Sequence, residues 1–380
     1  MLTPAGSPTW GRLALAGLVC AAGLVGAAEG LVWADALSGA RADRLFHEAS
    51  SFIGRSEGRE AEGHLTGEWS PIIASHLAEA FVGHALTRPE HAAEATRRLE
   101  QLAATLTAPR HNPYKRPLAQ VSDLGQWGLY LSHLNIVLGA HRRLTGSARY
   151  DALSRRISRR LAAVSLREPT RIHPSFPELS RWPADQAATL YSLWLYDQNH
   201  GTGLSERPIR EWLAVMAHEG REPTTGLHLS ELSRTKSYWR HPRGCALSWT
   251  CRYMARFAPE PGLRLWRDYK RHHQRQFLLA TAFNEYPQGV SASMDADSGP
   301  LLGSIGSAAT ALGWGAAAAV GDTPTYLQLT SAFAVADTVL KVARHLDQRV
   351  DAVAFSPLAL SIRFSSATQV PWFPKWREAR

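Results

Sequence analysis

Apolar residues recur at helical spacing along almost the whole chain, and this periodicity limits what the chain can fold into. In the segment 123–144, Trp127, Tyr130, Leu134 and Leu138 are three or four residues apart, which places them on one face of a helix. Similar patterns predict about eleven helices between residues 41 and 345, with few stretches that resemble strands. The sequence therefore predicts an all-α fold.

The predicted helices alternate with long loops in units of roughly 50 residues, which is typical of helical hairpins in series. The segment 301–320 consists mainly of small and apolar residues and indicates a helix that is packed on all sides. Near the end of the chain, short β-branched pieces such as 362–364 resemble strands. The segments 150–164 and 262–275 are charged and amphipathic, as expected for outer helices, and the second lies in a helix predicted over 262–279. We therefore predict an (α/α)6 toroid of helical hairpins whose inner helices direct their amino-terminal ends toward one funnel. The pattern alone does not separate this closed ring from an open solenoid.

An apolar segment precedes the predicted helical domain. Between Arg12 and Asp35 the chain is mostly Leu, Ala, Gly and Val, with Glu29 as its one charge. A run of about 20 such residues is long enough to span a bilayer, and its small residues also offer cleavage positions for a signal peptide. We accordingly assign residues 1–40 to a signal peptide or transmembrane anchor and residues 41–380 to the toroid domain. Both alternatives predict a cell-envelope location, membrane-anchored or periplasmic/secreted, whereas an apolar first helix of a soluble protein is the third alternative.

The composition argues against several kinds of partner. The chain has 42 basic and 33 acidic residues, a net charge of +9, but the basic residues are spread out, so we expect no nucleic-acid partner. Cys245 and Cys251 lie on nearly opposite faces of a predicted helix, and we expect no disulfide between them. Neither His-Glu-x-x-His nor Cys-x-x-Cys occurs, so we expect no metal and no cofactor. The sequence does not indicate an oligomeric state.

Two carboxylates, Asp295 and Asp297, come just before the predicted inner helix at 301–320. Ser298 suits the N-cap of that helix and Pro300 suits its first turn. Both acids would then lie at the positive end of the helix dipole. The Asp-Ala-Asp motif lacks the further oxygen ligands and the closing Glu of a calcium loop, which favours a catalytic interpretation over a calcium site.

Several short motifs give the chain a resemblance to a group of bacterial toroid proteins. These motifs are Arg-Gly-Cys-Ala-Leu-Ser-Trp at 243–249, Glu-Tyr-Pro at 285–287, Asp-Ala-Asp-Ser-Gly-Pro at 295–300 and Trp-Pro-Ala-Asp at 182–185. Over about residues 60–340 the chain resembles six-hairpin glycosidases and the linalool dehydratase-isomerase-like domain. The resemblance implies an (α/α)6 toroid. Such toroids host glycoside hydrolases, lyases, epimerases and a hydro-lyase, so the resemblance does not choose one activity.

In a toroid, carboxylates at the starts of inner helices are candidates for acid/base catalysis, and aromatic residues near loops are candidates for substrate binding. The predicted catalytic residues are Asp297, Asp185, Asp295 and Asp123. The predicted substrate-binding residues are Trp182, Trp239, Tyr286, Trp127, His133 and Cys245.

Three functions fit these residues. The leading hypothesis is an exported enzyme that acts on a carbohydrate through paired-carboxylate acid/base chemistry. The second is a hydro-lyase or isomerase acting on a small apolar alcohol, as the linalool-type resemblance implies; in that case Cys245, a His and an Asp should converge on an apolar cavity. The third is a non-catalytic envelope protein that binds a glycan or a partner. The expected partners are therefore a small molecule or glycan and, through the N-terminal segment, a membrane.

Overall fold

The computed structural model describes residues 26–55, 70–177, 181–232, 241–290, 294–346 and 357–373. Helices dominate these residues, so the predicted all-α class is confirmed. The helices are α1 (26–38), α2 (Ala40–Arg55), α3 (Ser70–Thr87), α4 (Ala92–Thr107), α5 (Gly128–Thr145), α6 (Asp151–Arg167), α7 (Pro183–His200), α8 (Glu206–His218), α9 (Gly244–Phe257), α10 (Pro259–His273), α11 (Ser307–Val320), α12 (Thr323–Leu346) and α13 (Pro357–Ala367).

Short elements join some of these helices. Two 3-10 turns, Pro89–His91 and Leu118–Gln120, follow α3 and α4. Strands β1 (Gln274–Phe277) and β2 (Ala280–Phe283) form one antiparallel hairpin, and β3 (Leu301–Leu302) and β4 (Ile305–Gly306) form another. Both hairpins lie between α10 and α11, so they separate two helices that would otherwise follow each other directly.

Six helices contact one another in a cyclic order. Helix α3 packs on α5, α5 on α7, α7 on α9, α9 on α11 and α11 on α13, and α13 packs on α3 again. Helices α4, α6 and α10 each contact two successive members of this series, and α12 contacts α11. The described helices therefore fall into two groups, six that contact each other in sequence and others that pack against them.

The two groups differ in sequence because they differ in burial. Every residue of α3 from 70 to 85 is buried, and most of them are apolar or small, as burial on all faces favours. Helix α6 buries one face, including Ile157 and Leu161, and its arginines lie on the other. Packing of α3 is also close: a Cβ at Gly83 would overlap the carbonyl oxygen of Thr368, just beyond α13. Only glycine permits the two backbones to approach this closely.

A buried ionic cluster links three helices of the cyclic group. Glu79 on α3 accepts hydrogen bonds from Arg252 (2.8 Å) and Arg256 (2.9 Å) on α9, and all three side chains are 1% exposed. Arg252 also donates to Ser365 on α13 at 3.0 Å. Each oxygen of the Glu79 carboxylate thus has an arginine partner, as a buried charge requires.

The predicted helix start at Ser298 and Pro300 is wrong. Leu301 and Leu302 pair instead with Ile305 and Gly306, and the helix begins at Ser307. The reason lies in the glycines, because Gly299 and Gly303 adopt φ angles of 60° and 61° that turn the backbone out of a right-handed helix. Ser298 is not the N-cap of α11, and its hydroxyl bonds within the preceding turn.

Two further local predictions differ from the structure. The helix predicted to run through Leu279 ends at His273, where the β1–β2 hairpin begins. The residues 362–364, which are β-branched and aromatic, belong to α13 and not to a strand. Burial between α3 and α11 outweighs the strand propensity of this short segment.

The prediction of a transmembrane helix is also wrong. In the part of the chain that the structure describes, no helix has the length and apolar character needed to cross a bilayer. Residues 1–25 lie outside the described part. The later residues of the apolar segment belong to α1, where Trp33 Nε1 donates to Ser331 of α12 at 2.8 Å and Glu29 accepts from the same hydroxyl. These residues contact protein through polar groups.

Candidate functional site

A pocket of about 820 Å³ lies where the cyclic helices begin. Each of the six helices contributes residues from its first turn, among them Ile72, Leu129, Asp185, Cys245, Ala308 and Ala359. The first turn of a helix carries unpaired N–H groups and a partial positive charge. A pocket surrounded by six such ends favours acidic side chains and negative charge that develops during a reaction.

The walls of the pocket are mainly apolar and aromatic. They include Phe176, Trp182, Trp249, Leu312, Phe333 and Ile362. Phe176 packs edge-on against Trp182, with ring centroids 5.8 Å apart, and so fixes one wall. The pocket also reaches Asp337 and Arg363, which form an ion pair with a 2.7 Å N–O distance. Polar groups therefore occupy a few places in a largely apolar space.

Asp185 is the predicted catalytic residue with the most unusual environment. It is the third residue of α7, directly after Pro183 and Ala184, and it lines the pocket. Burial raises the pKa of Asp185 to about 7; the hydroxyl of Ser175 opposes this rise and the charge of Asp297 adds to it. Near neutral pH this carboxyl group therefore retains a proton in a large fraction of molecules and is suited to donate it.

Arg243 holds three carboxylates at the edge of the pocket. Its guanidinium lies 2.9 Å from Glu285, 2.7 Å from Asp295 and 3.9 Å from Asp297. The Arg243 side chain is 6% exposed, whereas that of Asp297 is 53% exposed. Asp297 has the longest of the three distances to the guanidinium, so its carboxylate is the one best placed to contact a molecule in the pocket.

Asp295 shapes the turn that presents Asp297. Its Oδ1 accepts hydrogen bonds from the backbone N–H groups of Asp297 (3.1 Å) and Ser298 (2.9 Å). Burial acts to raise the pKa of Asp295, but the N–H of Ser298 and the Arg243 guanidinium outweigh it and hold the pKa below its ordinary value. Asp295 does not line the pocket, so the structure gives it a positioning contact and not a pocket contact.

Cys245 lines the pocket and is bonded to a buried glutamate. Its Sγ donates to Glu285 Oε1 at 3.0 Å, and its backbone N–H donates to Oε2 at 3.3 Å. Burial raises the pKa of the Cys245 thiol well above its ordinary value, and the adjacent Glu285 raises it further. Burial likewise raises the pKa of Glu285, although Cys245 and Arg243 partly oppose this. Cys245 is therefore a neutral thiol near pH 7, and the nucleophilic thiolate is disfavoured.

The structure gathers some predicted residues and separates others. Asp185, Asp297, Trp182 and Cys245 line one pocket. Asp123 does not line it and forms an ion pair with Arg160 at 2.7 Å.

Three predicted binding residues lie near the pocket but do not line it. Trp127 packs edge-on against Phe176 at 6.1 Å, Tyr286 lies under the Arg243 guanidinium at 6.0 Å, and buried His133 packs edge-on against Trp249 at 5.6 Å. They support pocket-lining side chains from behind. Trp239 lies outside the described residues.

Several residues of the site were not predicted as functional. Glu285 and Arg243 belong to the motifs that carry the family resemblance, but a glutamate and an arginine 42 residues apart give no sign of pairing. Phe176 and Trp249 resemble ordinary core aromatics in the sequence. No histidine is among the described residues that line the pocket, so the convergence of Cys245 with a His and an Asp is met only for the Asp.

Among the described residues, the pocket has no group of three side chains arranged to hold a metal ion; the one such group lies elsewhere, on α2, α3 and the 3-10 turn that follows α3. No protein-family model matches this chain, and no curated protein matches it either.

Proposed function

We propose that α3, α5, α7, α9, α11 and α13 are the inner helices of an (α/α)6 toroid. The cyclic order of their contacts supports this arrangement, since α13 returns to α3. Their burial on most faces supports it as well, as does the pocket lined by the first turns of all six. The helices that pack against them would form the outer layer.

In this toroid we assign the pocket to acid/base chemistry on a small apolar alcohol, as a hydro-lyase or isomerase. The observation that carries the assignment is the pairing of a carboxyl group whose pKa is about 7 with a second, exposed carboxylate in one mainly apolar pocket. A protonated acid beside a charged base is the combination that elimination of water requires.

The reaction step follows from these two groups. Asp185 donates its proton to the hydroxyl of the substrate, the C–O bond breaks, and its electron pair leaves with the water molecule. The Asp297 carboxylate accepts a proton from the neighbouring carbon, and the C–H electron pair becomes the new double bond. After dehydration Asp185 is a carboxylate and Asp297 is protonated, and proton exchange with solvent water returns both to their starting states. In hydration, protonated Asp297 donates its proton to one carbon of the double bond, water adds to the other carbon, and the proton that this water loses passes to the Asp185 carboxylate. Arg243 and Asp295 orient Asp297 throughout.

Carbohydrate chemistry is the second candidate, because the same two carboxyl groups meet the basic requirement for glycoside cleavage. Trp182 and Trp249 in the wall would supply flat surfaces for a sugar ring. The first candidate is preferred because a sugar presents hydroxyl groups on every side, and the apolar wall formed by Ile72, Leu129 and Leu312 would leave many of them without hydrogen-bond partners. Export of the chain to the cell envelope stays a prediction.

The test is turnover by the purified protein of terpene alcohols and, in parallel, of polysaccharides, followed by chromatography of the products. Asp185→Asn and Asp297→Asn should each lower turnover by about 10²- to 10⁴-fold, because each removes one proton-transfer group. In wild type the rate of dehydration should fall as the pH rises through about 7, where Asp185 loses its proton.

Asp123→Asn is the matched control, since Asp123 is an exposed acid outside the pocket and should leave turnover unchanged. Full activity of a correctly folded Asp185→Asn variant would refute the proposed mechanism. Turnover of polysaccharides and not of alcohols would select the second candidate. Ligand binding without turnover would select the non-catalytic alternative.

A further inference from the structure

A group of metal-ligand side chains lies away from the pocket, where α2 packs against α3. It consists of Asp43 on α2, His84 in the last turn of α3 and His91 at the end of the following 3-10 turn. One ligand atom from each residue lies within 4.8 Å of the other two. His84 Nε2 is 2.8 Å from His91 Nδ1 and 3.7 Å from Asp43 Oδ1. None of these residues contributes to the pocket.

These distances resemble those between ligands of a tetrahedral metal ion. Zinc binds imidazole nitrogen and carboxylate oxygen at about 2.0–2.2 Å, so two ligand atoms of one tetrahedral ion lie about 3.3 Å apart. The 2.8 and 3.7 Å distances fall on either side of this value. Small rotations of the two imidazole rings would direct both nitrogens to a common point. The proton of the His84–His91 hydrogen bond would move to the other nitrogen of its own ring, so that both rings bind the ion as neutral imidazoles.

The two imidazoles are held in place by their surroundings. The ring of Phe46 stacks on His84 at 4.5 Å and on His91 at 4.6 Å, nearly parallel to both. The His84 side chain is 1% exposed, so its neighbours fix the orientation of the ring. Asp43 and His91 are half-buried, which leaves the group accessible from solvent.

Arg88 is the competing partner of this group. Its Nε lies 3.3 Å from Asp43 Oδ1, so it orients the carboxylate and also neutralises part of its charge. A divalent cation bound beside Arg88 would be repelled by the guanidinium. Arg88 therefore weakens metal binding while it holds the carboxylate near the histidines.

We propose that Asp43, His84 and His91 bind a divalent transition-metal ion of the zinc type, which joins α2 to the end of α3. Two imidazoles and a carboxylate are a ligand set that zinc uses in proteins, with water in the fourth position. Nitrogen ligands also exclude calcium and magnesium, which bind oxygen. The site is independent of the function proposed for the pocket.

The test is calorimetric titration of the chelator-treated full-length chain with Zn²⁺, together with the visible spectrum of Co²⁺ added in its place. One equivalent of Zn²⁺ should bind, Co²⁺ should give the absorption of a tetrahedral site, and Ca²⁺ should give no signal. His91→Ala and Asp43→Asn should weaken Zn²⁺ binding by at least about 100-fold, since loss of even an outer partner costs about 10- to 100-fold. Both replaced side chains are half-buried, and circular dichroism checks that each variant folds.

His218→Ala is the matched control, because His218 is exposed on α8 and should leave Zn²⁺ binding unchanged. Arg88→Gln should tighten Zn²⁺ binding, whereas a group with a purely structural role would show no metal effect in this variant. Absence of stoichiometric Zn²⁺ binding by wild type would overturn the proposal. Retention of wild-type affinity in a folded His91→Ala or Asp43→Asn variant would overturn it as well.

Discussion

Two arginine–carboxylate clusters in this protein use the same chemical groups in opposite ways. In the closed cluster, Arg252 and Arg256 bind the two oxygens of Glu79, and every member is 1% exposed. In the open cluster, Arg243 alone is shared by Glu285, Asp295 and Asp297. The closed cluster thus has more arginines than carboxylates, and the open cluster has fewer.

The ratio of arginines to carboxylates distinguishes the cluster that stabilises the fold from the cluster at the candidate site. Glu79 has an arginine on each of its oxygens and does not line the pocket, so it connects helices. Asp297 is one of three acids around a single guanidinium and is exposed to the pocket. A cluster of ion pairs indicates a candidate site when several carboxylates share one arginine and one of these carboxylates faces a cavity.

The largest effect should come from breaking the closed cluster. Glu79→Gln removes the negative charge that the two buried arginines share, so the free energy of unfolding should fall by about 3–5 kcal/mol. Denaturant unfolding followed by circular dichroism measures this. Glu48→Gln, on the exposed side of α2, is the control and should change little. If Glu79→Gln lowers the free energy of unfolding by less than about 1 kcal/mol, the closed cluster does not stabilise the fold.

The second-largest effect on the free energy of unfolding should have the opposite sign and should come from Asp185 in the pocket. Because the folded-state pKa of Asp185 is about 7 and its ordinary value is 3.8, the folded protein keeps a proton that the unfolded chain loses between these values. Wild-type stability therefore falls as the pH rises from about 4, and the full cost is reached above about pH 7. Asp185→Asn removes this cost.

The variant should accordingly be more stable than wild type by about 1–3 kcal/mol at pH 8, with a smaller gain at pH 5. Denaturant unfolding of both proteins at the two pH values gives the comparison. An equal gain at pH 5 and pH 8 would show that Asp185 has no raised pKa, and a loss at both would place Asp185 among the supporting residues.

The smallest effect should come from an ion pair that belongs to neither cluster. Asp123 is 66% exposed and pairs with Arg160, so Asp123→Asn should change the free energy of unfolding by less than about 1 kcal/mol. Thermal unfolding of this variant beside wild type measures the change. A larger loss would mean that exposed ion pairs contribute more here than the comparison of the two clusters implies.

The helical class could be predicted from the sequence because burial of one face or of all faces of a helix produces a recognisable pattern of apolar residues. The one-sided pattern of Ile157 and Leu161 and the all-round apolar segment that became α11 both match the structure. The start of α11 was misplaced because the choice between a helix and a hairpin at 301–306 depends on two glycine φ angles. A single sequence does not show which φ angle a glycine adopts.

The site was predictable in its acids and not in their roles. Asp185 was found because an acid in the first turn of a helix is recognisable. Asp297 was found from a helix start that the structure places ten residues after this acid, at Ser307, yet both acids line one pocket. Asp295 looked equivalent to Asp297, but the backbone of the turn engages its oxygen. Asp43, His84 and His91 left no spacing motif, because the ligands come from separate elements that meet only after folding.

The contact between α3 and α13 has a consequence for how the chain folds. Gly83 packs against the backbone at Thr368, so the two surfaces meet although about three quarters of the polypeptide lies between them in the sequence. Bringing such distant segments together has a large entropic cost and is expected to be slow. During synthesis α3 leaves the ribosome long before α13, and its apolar surface stays uncovered until α13 emerges. A chain shortened before α13 would keep most of its helices but would expose the apolar surface of α3 that α13 covers, and we expect it to aggregate.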